Sequence, residues 1–367
     1  MVISIGIILG LLALIVIVFV NTSPEFGGKA SPEKLAIYNT SKNYKDGKFV
    51  NTNAVNLDMS LSDIGKTLIA YFKSQPNTIP DTNISVEKID SLHIDNYKDR
   101  TRLMWFGHST FLLQMDQKTI LIDPMFGDVP APHPMLGSKR FSDELPITVE
   151  KLPNIDAVLI SHDHYDHLDY GSIIALKDKV DVFYTPLGVG AHLEKWGINK
   201  DRIIELDWWQ EATLDGVQFK CTPAQHFSGR GLTDRTKTLW CSWVIKSGTD
   251  NIFFSGDSGY STHFKAIGDA YGPFDLAMIE CGQYNEKWPD IHMFPEESVK
   301  AGIDVKAKQM MPIHWGAFKL AMHPWTDPVE RVTKKAEELN VSIITPKIGD
   351  VFFLKSENSI PQQWWIK

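Results

Sequence analysis

The sequence predicts an αββα sandwich, two mixed β-sheets flanked by helices, preceded by one N-terminal transmembrane helix. Three observations carry this expectation. From Thr101 onward, short apolar runs rich in β-branched and aromatic residues end in polar, metal-capable side chains, as strands do when they deliver functional groups at their ends. The early half is strand-rich with tight turns and the later half alternates strand and helix, an order that two mixed sheets with external helices satisfy. Ahead of both, Ile3 to Val20 reads ISIGIILGLLALIVIVFV, 18 positions without a charge.

As a helix rising about 1.5 Å per residue, that run reaches roughly 27 Å, close to the hydrocarbon core of a bilayer. No Lys or Arg precedes it and no A-x-A-like site follows, so it reads as an uncleaved single-pass anchor rather than a signal peptide. Lys29, Lys34, Lys42, Lys45 and Lys48 follow the span, which by the positive-inside tendency places the main domain on the cytoplasmic side of the membrane. The expected organisation is an anchor at 1–24, a polar arm at 25–75 leading to the helical pattern DIGKTLIAYF, and one catalytic domain at 76–367.

The 367 residues, 43% hydrophobic and 22% charged, can bury a sizeable core, and no linker, repeat or low-complexity run divides them beyond the arm. A net charge of −8 argues against nucleic acid as the main partner. Cys221, Cys241 and Cys281 are odd in number and lack a C-x-x-C pair, so they read as buried thiols rather than a disulfide framework.

Taken in order, RLMWFGHST, FLLQMD and KTILIDP are strands by length and side-chain type. DAVLI is a continuous apolar run, hence a buried strand, and where it stops SHDHYDHLD packs three histidines and three aspartates into nine residues. The helical pattern YGSIIALKD follows, then the strand VDVFYTP, the helix GAHLEKWG and the strands GVQFKCTPAQH, LWCSWVIK and NIFFSGDSGY. FKAIGDAYG, PEESVKAGIDV and DPVERVTKKAEELN are helices interleaved with the strands DLAMIE and QMMPIHW.

His162 and His164 alternate along the chain, so both imidazoles can point the same way, while Asp166 and His167 lie where it turns into the helix at Tyr170. Four ligands thereby reach two adjacent points. Histidine and carboxylate suit zinc and related divalent ions, and burying three imidazoles together without a metal or counter-charge is costly. A binuclear centre needs further ligands at strand ends: His226 follows VQFKCT, Asp257 follows NIFF and His314 follows MMPI. No G-x-S-x-G elbow, Walker loop or Rossmann glycine set competes.

H-x-H-x-D-H followed by a strand-end His, the GDSGY Asp and the IHWG His resembles the metallo-β-lactamase fold superfamily. Within it, WFGHSTFLLQMD, LIDPMFG, IDAVLISHDHYDHLDY, TPAQHFSGR, LWCSW and IHWGAF are similar to the N-acylphosphatidylethanolamine-hydrolysing phospholipase D family and its bacterial relatives. The similarity spans roughly residues 100 to 355 and leaves out the anchor. It implies two zinc ions per chain, the first held by His162, His164 and His226, the second by Asp166, His167 and His314, with Asp257 bridging. It also implies hydrolysis of a membrane phospholipid phosphodiester, N-acylphosphatidylethanolamine giving phosphatidic acid and an N-acylethanolamine, with a hydroxide between the metals as nucleophile. The residues expected at the reacting atoms are Asp166, at the metals, and His292 of DIHMFPEE, which aligns with a family histidine and could protonate the leaving group. The family's glutamine before that histidine is here Ile291, a departure that touches the substrate contacts.

His108, Ser109 and Asp123 read as hydrogen-bonding neighbours of the ligands, and the tryptophans as core or rim. The expected partners are the phospholipid substrate and the bilayer, with a homodimer left open. Three alternatives stand beside the phospholipase reading. One is lactone, amide or β-lactam hydrolysis on the same metals. Another is diiron redox chemistry, which the histidine at 164 disfavours because diiron relatives commonly carry Glu there. The third is a non-catalytic membrane-tethered binding protein, which would have no need of seven metal-binding side chains.

Overall fold

The computed structural model describes residues 2–55, 65, 69, 75–356 and 363–366. The helical pattern DIGKTLIAYF lies outside the described residues apart from Gly65 and Ile69. A short ribbon of β1 (Tyr44–Lys45) and β2 (Lys48–Phe49) precedes the sandwich. The first large sheet comprises β3 (Arg102–Trp105), β4 (Phe111–Met115), β5 (Lys118–Ile122), β6 (Ile155–Leu159), β7 (Val180–Pro186) and β8 (Ile203–Leu206). The second comprises β9 (Glu211–Leu214), β10 (Val217–Thr222), β11 (Ser242–Lys246), β12 (Asn251–Phe254), β13 (Leu276–Glu280) and β14 (Met310–Ile313), while β15 (Val351–Phe353) returns to the edge of the first.

Each sheet is part antiparallel and part parallel. In the first, β15, β3, β4 and β5 run antiparallel and β5 to β8 parallel; in the second, β9 to β12 run antiparallel and β12 to β14 parallel. Register aligns carboxyl ends of parallel strands: Ile122 pairs with Leu159, and Glu280 with Ile313. The polar residues that follow these strands therefore meet along one edge of the sandwich.

Why the strands read as unbroken apolar runs follows from burial on both faces. Phe111, Leu113, Ile120 and Ile122 enter the core between the sheets with Phe219, Trp243 and Phe254, while Leu112 and Leu121 alternate onto the outer face. There they pack with Ile173 and Leu176 of the helix Tyr170–Leu176 and with Leu193 of the helix Gly190–Lys195. The three cysteines are free and buried, two of them facing the inter-sheet core on β10 and beside β11. Trp243 bridges the layers by donating its indole N–H to the Ile160 carbonyl (3.0 Å), just before the histidine-rich turn.

The anchor expectation is corrected. Val2–Thr22 does form a helix, yet among the described residues no helix is long and apolar enough to cross a membrane. The single-pass placement with a cytoplasmic domain falls with it. The end of the helix is taken up by the protein: Phe19 lies edge-on to Phe26 and to His133 (ring centroids 5.3 and 6.1 Å), and Phe19 and Val20 are half-buried. The apolar run is therefore not uniformly free to face lipid. Beyond it the chain lies on the sandwich, burying Tyr38 of the helix Pro32–Tyr38 and Phe49 in the main core, with Lys34 ion-paired to Glu205.

Glu25, in this segment, is half-buried near Asp169 and Arg230. Burial and the Asp169 charge together outweigh Arg230 and push its carboxyl up to about 7. A carboxyl raised in the folded state favours folding while protonated, so stability should fall as pH rises from about 4.5, its ordinary value, to about 7. Glu25→Gln is therefore expected to leave the thermal midpoint unchanged below pH 4.5 and to raise it above pH 7, measured by thermal unfolding across that range. A gain confined to acid would refute the sign.

Candidate metal centre

SHDHYDHLD begins one residue after β6 and divides by side-chain direction. His162, His164, Asp166 and His167 converge at the edge of the sandwich. Asp163 turns away and accepts from Gly229 N (2.8 Å), Thr238 Oγ1 (2.8 Å) and His192 Nε2 (3.2 Å), tying this turn to the loop after His226. Asp169 caps the following helix, accepting from Ser172 N (2.8 Å). Asp257 and His314 arrive from the second sheet, past β12 and β14. Gly256 makes the first of these turns, since at its φ of 56° a Cβ would lie 2.7 Å from the Cys241 carbonyl and 2.9 Å from Ser161 Cβ. His108, Asp123, Gln283 and His314 also adopt left-handed backbone, with φ between 41° and 67°. Such conformations cost roughly 1–3 kcal/mol each and persist where packing over-determines them.

The hydrogen bonds decide which ring nitrogens carry bare lone pairs. Ser161 Oγ donates to Asp123 Oδ2 (2.6 Å), so it accepts from His162 Nδ1 (2.9 Å), leaving His162 Nε2 bare. His226 Nδ1 donates to the Ile291 carbonyl (2.9 Å), leaving its Nε2 bare as well. Both face His164 Nδ1, at 2.9 and 3.1 Å, and one N–H cannot serve two acceptors on different rings with full bonds. Asp257 Oδ2 lies 3.8 Å from each of His162 Nε2 and His226 Nε2. Four donors thus enclose one point.

The neighbouring group repeats the arrangement. His167 Nδ1 donates to Asp123 Oδ2 (2.7 Å), so its Nε2 is bare, and among the described residues that buried atom has no hydrogen-bond partner although Asp257 Oδ1, equally unpartnered, is 3.2 Å away. His314 Nε2 lies 3.1 Å from Asp257 Oδ2 and 3.2 Å from Asp166 Oδ2. Lone pairs aimed at a common buried point are what a divalent cation satisfies. His162, His164, His226 and Asp257 could hold one such ion, and Asp166, His167, His314 and Asp257 a second.

Electrostatics agree with that division. Burial, reinforced by neighbouring imidazoles, holds His162 and His226 well below their ordinary values, as neutral ligands must be. Burial also opposes charge on His314, but the carboxylates of Asp257 and Asp166 outweigh it and lift His314 to about 10. The second group therefore sits in a field that attracts positive charge, for which protons and metal compete.

All seven expected ligands meet here, and His292 joins them. Its ring stacks on His314 (5.2 Å, 11°) and stands edge-on to His226 (5.0 Å). His108 touches the centre directly. Burial and the charge of His314 press it down to about 3, so it is neutral, and its Nε2 donates to Asp166 Oδ2 (2.8 Å). It orients a carboxylate and offers that carboxylate no competing lone pair. Asp123 holds both Ser161 and His167, whereas the buried Ser109 hydroxyl has no hydrogen-bond partner among the described residues.

Sequence reasoning missed Glu280. Wholly buried at the end of β13, it accepts from Met293 N (2.8 Å) and faces His292 Nδ1 (2.9 Å). The signal was present, since DLAMIE is an apolar strand closed by a carboxylate, as the other site strands are closed by polar groups. The centre opens into a cleft of about 460 Å³, with Phe227, Trp288, Ile291 and Leu320 among its apolar walls and Arg235 and Lys287 at its exposed rim.

The sequence matches the Beta-lactamase superfamily domain over residues 118–315. It is 43% identical over 324 residues to an uncharacterized protein of Mycobacterium tuberculosis, covering 86% of this chain and 85% of that one. It is 31% identical over 293 residues to N-acyl-phosphatidylethanolamine-hydrolyzing phospholipase D 1 of Caenorhabditis elegans, covering 75% and 80% respectively. Among solved structures, Igni18, a metallo hydrolase from Ignicoccus hospitalis, superposes with a TM-score of 0.52 at 20% identity over 71% of this chain and 100% of its own, a likeness of fold.

Proposed function

Because the chain belongs to the metallo-β-lactamase superfamily and is a metal-dependent hydrolase, we propose that it cleaves a phospholipid phosphodiester as a phospholipase D does. N-acylphosphatidylethanolamine is the substrate toward which the nematode relative's name points. The observation that carries this reading is the Glu280–His292 pair beside the metal-binding side chains, opening on a cleft with apolar walls and a cationic rim.

Zinc fits the histidine and carboxylate donors, and two ions, when bound, would lower the pKa of a water and neutralise charge on the phosphoryl oxygens. The protein's own groups supply the rest. Glu280 accepts from His292 Nδ1–H and fixes the ring, leaving Nε2 as the atom that would hand a proton to the departing alkoxide. As the oxygen of a water that has given one proton to solvent bonds to phosphorus and the bond from phosphorus to the ethanolamine oxygen breaks, that ethanolamine oxygen takes the proton from His292 Nε2, and solvent returns a proton to the ring. The products are then phosphatidic acid and an N-acylethanolamine. Phe227, Trp288, Ile291 and Leu320 exclude water around acyl chains, while Arg235 and Lys287 match the substrate's negative charge.

Purified, zinc-loaded protein is expected to release phosphatidic acid from N-acylphosphatidylethanolamine, followed by mass spectrometry, within a panel of phospholipids, lactones, amides and β-lactams. Turnover of lactones or β-lactams with every phosphodiester untouched would sink the phospholipase reading and leave the metal-dependent hydrolase.

A further inference from the structure

The loop that presents His226 is held by a residue from outside the sandwich. Asn51 lies just after the β1–β2 ribbon, in the segment that Phe49 anchors by its buried ring and by donating its N–H to the Thr236 carbonyl (2.8 Å). Its side-chain amide closes a ring on the backbone of His226: Nδ2 donates to the His226 carbonyl (2.8 Å) and Oδ1 accepts from the His226 N–H (3.1 Å). The same Oδ1 accepts from the Trp240 indole N–H (3.0 Å), which also donates to the Ala224 carbonyl (3.0 Å). One amide thus makes both main-chain bonds of a neighbouring strand and ties the turn to a fully buried tryptophan.

On the far side of His226, Nδ1 donates to the Ile291 carbonyl. With the backbone held by Asn51 and the ring by Ile291, Nε2 has one direction left, toward His164 and Asp257. We propose that Asn51 is a positioning residue for the first metal site, so that an N-terminal segment lying outside the matched residues 118–315 completes the geometry of the centre. This rests on the reading of His226 as a metal ligand. Groups that orient ligands in this way are typically worth about 10- to 100-fold in metal affinity.

The test uses the full-length zinc-loaded chain, with metal content measured against rising chelator for wild type, Asn51→Ala, Asn51→Asp and Asn53→Ala. Asn53 belongs to the same segment but bonds Ser261 Oγ (2.6 Å), so it controls for detachment of the segment as a whole. Asn51→Ala is expected to lose one ion at about 10- to 100-fold lower chelator while the other holds, with Asn53→Ala behaving as wild type. Asn51→Asp keeps the acceptor but sets an anionic oxygen against the His226 carbonyl, and should lose the same ion; it carries the test where Asn51→Ala does not fold. Folded Asn51 variants with wild-type retention of both ions, equal loss from Asn53→Ala, or failure of both Asn51 variants to fold would overturn the proposal. A wild type that holds fewer than two ions would instead overturn the binuclear reading beneath it.

Discussion

His292→Ala is expected to lower turnover of N-acylphosphatidylethanolamine by roughly 10²- to 10⁴-fold, the usual worth of a positioned general acid, with metal content unchanged. The split between chemistry and metal follows from where the ring sits. His292 packs on two ligand rings, yet its Nδ1 is engaged by Glu280, and the nitrogens that converge on the two metal points belong to other residues. Glu280→Gln should reproduce part of the loss, because the carboxylate accepts from both His292 Nδ1–H and Met293 N, whereas an amide has one oxygen and can hold only one of them. Side-by-side rates and metal analysis decide the matter. If His292→Ala loses metal in proportion to activity, His292 supports the centre and is not the acid.

Asp257→Asn is expected to strip both ions, taking metal content from about two equivalents per chain toward none and activity to the level of metal-free protein. Asp257 is the shared member of both donor groups, with Oδ2 near His162, His226 and His314 and Oδ1 near His167. The amide removes the negative charge and offers N–H groups where lone pairs are needed. His226→Ala removes a donor from the first group only, so it should cost mainly one ion. Retention of both ions by Asp257→Asn would show that the carboxylate does not join the two groups.

In this chain, side-chain type and spacing alone carried much of the site. H-x-H-x-D-H after an unbroken apolar run, with a histidine or aspartate closing three later strands, was enough to bring seven residues to one place. The reason is geometric: parallel strands in register end together, so residues just past them share an edge wherever the rest of the chain goes. Two-sheet architecture was legible for a related reason, because strands buried on both faces leave no polar alternation and helices must then cover the outside.

What sequence could not supply were interactions between segments far apart in the chain. Glu280 reaches His292 across a turn, Asp123 reaches His167 from the neighbouring strand, and Asn51 meets His226 across 175 positions. Asp123 and Glu280 are strand-end carboxylates that pattern can mark, but nothing in the spacing says which side chain each one holds, and Asn51 carries no mark at all. The N-terminal run shows the same limit from the other side. Its composition predicted a free lipid-facing span, but tertiary contacts at Phe19, Phe26 and His133 set where its last turn lies. Local pattern determined which side chains stand at strand ends in this protein; only packing decided which of them hold one another in place, because a hydrogen bond depends on distance in space rather than along the chain.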